Sequence, residues 1–141
     1  MKRRTLLLLT VLSMLLLLAG CKVSGRPLPE GMEEDTVVEQ GREVVALLNQ
    51  EDWQGVYDLL RADAQEGASL ADFEAAMMKN LEKAGAYVKE SEAMTTGQKL
   101  KATGEEYGTA VFYCKHEKKN VLYRIAYSVE MELMGVEVKV Q

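Results

Sequence analysis

Residues that carry chemistry are scarce in this chain. Histidine occurs once among 141 residues, at position 116, and tryptophan once, while cysteine and proline occur twice each. This inventory excludes zinc sites of the usual Cys/His kind. It also leaves His116, at the end of a predicted strand beside a turn, without a second histidine or a carboxylate fixed by spacing. The expectation is a solvated strand-end residue rather than a general base. Ser69, Ser91 and Ser128 lack the context of a nucleophile elbow. Carboxylates are plentiful, yet none follows a calcium-loop pattern. Gly97, Gly104 and Gly108 do not form a phosphate-binding loop. No metal, no cofactor and no catalytic residue is therefore expected.

What the chain does have begins at its first residues. Met1-Lys2-Arg3-Arg4 is a cationic stretch, and an apolar run rich in leucine follows it, ending in Leu18-Ala19-Gly20-Cys21. Charge, apolar run and small residues in that order describe a secretory signal. The ending resembles the lipobox of bacterial lipoproteins. That resemblance implies cleavage between Gly20 and Cys21, and acylation (a palmitate-type lipid) of the Cys21 thiol. The lipid would hold the chain on the outer, extracytoplasmic face of the cell membrane. Residues 1–20 are thus expected to be a signal peptide. Residues 21–35 hold both prolines and two glycines, and are expected to be a flexible lipidated tether.

Removing residues 1–20 from 141 leaves 121, enough for one domain with its own core. The leader carries three of the 17 basic residues, so 14 remain against 22 acidic ones, a net charge of about −8. A chain this acidic is a poor partner for nucleic acid. With Cys21 taken by lipid, Cys114 has no partner for a disulfide. Its neighbours Phe112 and Tyr123 point to a small buried residue rather than a nucleophile.

Beyond Asp35 and Thr36, either of which can cap a helix, Val37, Gly41, Val44, Val45 and Leu48 recur at helical spacing. Asp52 can cap a second, short helix in which Trp53, Val56, Tyr57 and Leu60 share a face. After a break at Gly67-Ala68, Ser69 and Asp72 resemble a capping box, and Leu70, Phe73, Met77, Met78 and Leu81 carry a third helix to Gly85. The period then changes. A strand is predicted from Tyr87 to about Thr96-Gly97, another over Tyr107–His116 and a third over Val121–Glu130. A turn at Glu117–Asn120 sets Cys114 opposite Tyr123, Phe112 opposite Ile125 and Ala110 opposite Tyr127. A second turn near Met131-Glu132 sets Val129 opposite Met134 and Tyr127 opposite Val136. The core face is then Val121, Tyr123, Ile125, Tyr127 and Val129, with Phe112, Met134, Val136 and Val138. Leu122, Ala126 and Leu133 fall on the outer face, which is the candidate surface for a weak homodimer.

The fold class is therefore α+β: three N-terminal helices on a curled four-stranded antiparallel sheet, over residues 36–141. That order resembles nuclear transport factor 2-like (cystatin-like) domains. The residues that carry the likeness are Leu47 to Tyr57, Gly85-Ala86-Tyr87, Val121 to Ile125 and Leu133 to Val136. The resemblance is to a branch of small secreted bacterial domains of unknown function, and it implies a cone-like shape, which in some such domains holds a cavity between helices and sheet. Trp53, Tyr57, Tyr87, Tyr123 and Tyr127 are the candidates to line such a cavity. The leading functional expectation is a non-enzymatic binding or interaction module for a small apolar ligand or an envelope protein. The alternative is a small enzyme, an isomerase or hydrolase resembling the SnoaL-like group.

Overall fold

The first helix starts on an acidic turn, Glu34 and Asp35, which suits the positive end of its dipole. The computed structural model describes residues 25–141; the leader, Gly20 and Cys21 lie outside the described residues. Helix α1 runs Glu34–Asn49 and buries Val37, Gly41, Val44, Val45 and Leu48, the stripe read from its spacing. A Cβ on Gly41 would lie 2.8 Å from the Phe112 ring and 2.9 Å from the Ala110 side chain. Glycine there lets α1 lie directly on the sheet.

Four helices are present among the described residues where three were expected. The Asp52 carboxylate accepts from the Gly55 amide at 2.9 Å and starts α2, Trp53–Leu59. The chain then turns extended at Leu60, which makes a parallel bridge to Leu133, and the Arg61 amide donates to the Leu133 carbonyl at 2.7 Å. That detour separates a six-residue helix α3, Ala62–Gly67. The Arg61 guanidinium fixes the break by binding Asp63 and Glu105 together, with contacts of 2.7 to 3.0 Å. Both carboxyls are thereby held below the usual carboxylate range. The Ser69 hydroxyl accepts from the Asp72 amide at 3.1 Å and starts α4, Leu70–Ala84. The helix ends at Gly85, whose φ of 76° is a conformation that L side chains rarely adopt.

Strands β1 (Tyr87–Lys99), β2 (Glu106–His116), β3 (Asn120–Ser128) and β4 (Leu133–Val140) form one antiparallel meander in sequential order. Cys114 pairs with Val121, Phe112 with Tyr123 and Ala110 with Ile125. The β2–β3 register is therefore shifted by two residues from the expected one. The cause is a turn centred one residue earlier, on Glu117-Lys118, in which the His116 amide donates to the Lys119 carbonyl at 3.1 Å. A shift of two keeps every side chain on its face, so the core face survives the correction. The β3–β4 hairpin shifts likewise, with Ile125 opposite Val136, and carries an irregularity between Ala126 and Tyr127 that pairs Tyr127 with Leu133. This turns Leu133 inward to 3% exposure. It leaves Val129, expected in the core, outside the strand and 37% exposed. Bulges between Tyr87 and Lys89 and between Glu90 and Glu92 bend β1 and help curl the sheet over the helices.

The segment from Gly25 to Glu33, expected to be a flexible tether, belongs to the fold. The Gly97 amide donates to the Arg26 carbonyl at 2.9 Å, and Met32 is part of the core. A Cβ on Gly97 would sit 2.0 Å from the Pro27 carbonyl oxygen, and one on Gly108 would sit 2.8 Å from both Leu28 and Met32. The two glycines are the floor on which this strap lies. Gly97→Ala is expected to lift the strap and lower stability by about 1–3 kcal/mol, a typical cost of overpacking. Urea denaturation reads the loss, and cleavage after Glu30 by a glutamyl endopeptidase reads the lifting. An unchanged midpoint with unchanged resistance would show that the strap adds nothing.

Candidate functional site

Helix α1 ends at Asn49 with no basic residue in its last turn, and Glu51 reverses the chain with φ 58° to begin α2. The end of α4 lies nearby, and Gly85 turns it into β1. Because the two helices and the strand diverge here, a cleft of about 830 Å³ opens among α1, α2, α4 and β1. Its walls are apolar, formed by Val45, Leu48, Trp53, Met78 and Leu81. At its rim the Arg42 guanidinium grips both carboxylate oxygens of Glu90, at 2.9 and 2.8 Å. That bond holds the Glu90 carboxyl below its ordinary range.

A chain of hydrogen bonds runs beneath the cleft. Asn49 Nδ2 donates to the Tyr123 hydroxyl at 3.1 Å, and that hydroxyl lies 2.8 Å from His116 Nε2. His116 Nδ1 lies 2.8 Å from the Gly85 carbonyl oxygen. A carbonyl can only accept, so Nδ1 carries the hydrogen; in the neutral ring Nε2 then accepts from the Tyr123 hydroxyl. Asn49 also donates to the Val45 carbonyl at 2.8 Å, which completes its anchoring in α1. Burial, partly offset by the Asn49 hydrogen bond, raises the Tyr123 phenol well above its usual range. The expected solvated His116 is thus corrected. It is 2% exposed and bonded at both ring nitrogens. Strand β2 extends far enough to bring it under the α4–β1 corner, where the Tyr87 ring stands edge-on to it at 5.6 Å.

The five aromatic candidates do not share one cavity. Trp53 and Tyr87 line the cleft. Tyr123 lies behind its floor, fully buried. Tyr127 is enclosed in the core at 3% exposure, because the sheet's inward face carries it there. Tyr57 turns away and donates to the Ala68 and Gln65 carbonyls at 2.8 and 3.1 Å, with its ring tilted against Phe73. Sequence reasoning missed Arg42, Glu90 and Asn49. Arg42 and Glu90 are 48 residues apart, and no local pattern joins them. The Asn49 side chain has a legible signal in hindsight, an amide at the last position of an apolar helix.

These positions fall within one family match. The model of the family described as a protein of unknown function (DUF3887) matches residues 41–136. The chain belongs to that family. The match takes in the whole cleft and the hydrogen bonds beneath it, while the strap lies outside. The DUF3887 domain is also similar to the NMR structure of a protein from Ruminococcus gnavus ATCC 29149. The two share 26% sequence identity and a TM-score of 0.66, over 79% of this chain and 96% of that one. No curated protein matches the chain.

Removing the Tyr123 hydroxyl leaves buried groups on His116 and Asn49 without partners. Tyr123→Phe is therefore expected to cost about 1–3 kcal/mol, read as a lower urea midpoint, with Tyr113→Phe on the exposed side as the unchanged control. Equal midpoints for both variants would remove the relay from the account of stability. Cys114, buried as expected at 2% exposure, has its thiol pushed up to about 11 by desolvation. Near pH 8 only roughly a thousandth of it is thiolate. In a Cys21→Ser background, a disulfide reagent should react at once in denaturant and orders of magnitude more slowly with the native fold. The native rate should climb as pH rises toward 11. Fast native labelling near neutrality would contradict that burial.

Proposed function

We propose that this DUF3887 domain is a binding module, not an enzyme, held on the outer face of the cell membrane by lipid on Cys21. The observation that carries the binding reading is an open, apolar cleft whose polar floor is already committed. His116, Tyr123 and Asn49 bond to one another and to Gly85 and Val45. Among the described residues no buried side-chain nitrogen or oxygen lacks a partner. A general base needs a free lone pair within reach of a substrate proton, and here the histidine's is occupied behind the wall. What remains open to a visitor is a largely apolar surface bordered by the Glu51 and Glu82 carboxylates, which suits retention of a small molecule.

The anchoring half of the proposal rests on the leader and on Leu18-Ala19-Gly20-Cys21. The meander order and the helices inside its curl support the nuclear transport factor 2-like reading of the domain. Both halves have a direct test. Cys21→Ala should abolish incorporation of labelled palmitate into the expressed protein and leave its circular dichroism unchanged; labelling that persists would overturn the anchor. For the cleft, a fragment screen by ligand-observed NMR should give hits that vanish in Ala46→Trp. This substitution fills the cleft from an exposed helical position. Saturable turnover lost on changing His116 would instead favour the enzyme reading.

A further inference from the structure

The cleft is not electrically neutral, and its charge selects a class of ligand. Among the described residues that line it, the one cation is Arg42, whose guanidinium is engaged by Glu90. Glu51 and Glu82 also line the cleft, and neither makes an ion pair among the described residues. Two long helices end against the same space, α1 of 16 residues at Asn49 and α4 of 15 residues at Ala84. The α1 end has no basic residue in its last turn and so keeps its partial negative charge, whereas α4 carries Lys83 there. The rings of Trp53 and Tyr87 line the same cleft, and aromatic rings attract a cation over their faces. The two carboxylates and the α1 end therefore share one sign, and the walls between them are apolar.

From this the geometry points to a small organic ammonium as the occupant, an amine or quaternary ammonium with an aromatic or aliphatic body. The body packs between Val45, Leu48, Met78 and Leu81, and the cationic head lies at the rim near Glu51 and Glu82. Carboxylates and phosphates are excluded, because the single guanidinium would first have to leave Glu90. The volume fits a molecule of metabolite or drug size. This assignment rests on the cleft being a binding site, as proposed above.

Three probes with one phenyl ring and the same two-carbon linker separate the two ideas: phenethylammonium, phenylethanol and phenylacetate. The full chain is held in phosphatidylcholine nanodiscs, with empty nanodiscs subtracted. Trp53 is the only tryptophan in the chain, so its emission reports the cleft directly. Phenethylammonium is expected to bind about ten-fold tighter than phenylethanol, with phenylacetate weakest. Glu51→Gln and Glu82→Gln should each weaken the ammonium by roughly three-fold and leave phenylethanol unchanged, and added salt should shrink the difference. Equal or tighter binding of phenylacetate, or glutamine variants without effect, would overturn the charge selection while the cleft reading stands. If no probe shifts emission in a way that the cleft-filling Ala46→Phe, which adds no second tryptophan, abolishes, the cleft reading falls with it.

Discussion

A single buried imidazole ties the end of β2 to the ends of two helices at once. His116 stands at the end of β2 and reaches the α4–β1 corner through Gly85. Through Tyr123 on β3 it also reaches the end of α1 at Asn49. Hydrophobic burial holds the helices against the sheet but is indifferent to small slides and rotations. Directed bonds inside a low-dielectric interior are not, since each misplaced donor or acceptor would cost the desolvation of a buried group. The relay thus fixes where α1 and α4 stop relative to each other, and so fixes the mouth of the cleft between them.

The glycines at the close approaches serve the same end. Gly41 lets α1 sit on the Phe112 ring, and Gly85 supplies the left-handed turn that presents its carbonyl to His116. With α1 so near the sheet, the aromatic residues of β2 and β3 fill the interior beneath it. The cleft opens beside it, between the second half of α1 and the end of α4.

Much of this was legible from periodicity. The α1 stripe, the Ser69 cap and the Gly85 stop rest on local physics, and the structure agrees at each. Strand faces were also legible, because alternation has a period of two and survives the two-residue error in both hairpin registers. What alternation cannot see is a bulge. The irregularity at Ala126/Tyr127 reversed the roles of Val129 and Leu133. The split between α2 and α3 was hidden for a related reason, since it depends on a backbone bond from Arg61 to Leu133 across 72 positions. The cleft was half legible. Trp53 and Tyr87 read as candidates because large aromatic residues beside helix ends are conspicuous. His116 was misjudged because being next to a turn says nothing about what packs over it. The prolines near the start read as a linker, whereas Pro27 and Pro29 stiffen a segment whose rigidity matters only once Gly97 and Gly108 lie beneath it.

If the chain is anchored as proposed, that strap would set the standing height of the domain. It is docked from Gly25 onward, so with lipid on Cys21 only four peptide links would separate anchor and fold, a reach of at most ~14 Å. The strap lies at Gly97, toward one end of β1, and the cleft borders Tyr87 at the other. Ten residues of strand separate them, up to ~33 Å along β1. The strap would then be the sole of the molecule and the cleft its crown, opening away from the bilayer to whatever diffuses past. Energy transfer between Trp53 and a labelled lipid headgroup measures that height; close contact would mean the domain lies the other way up.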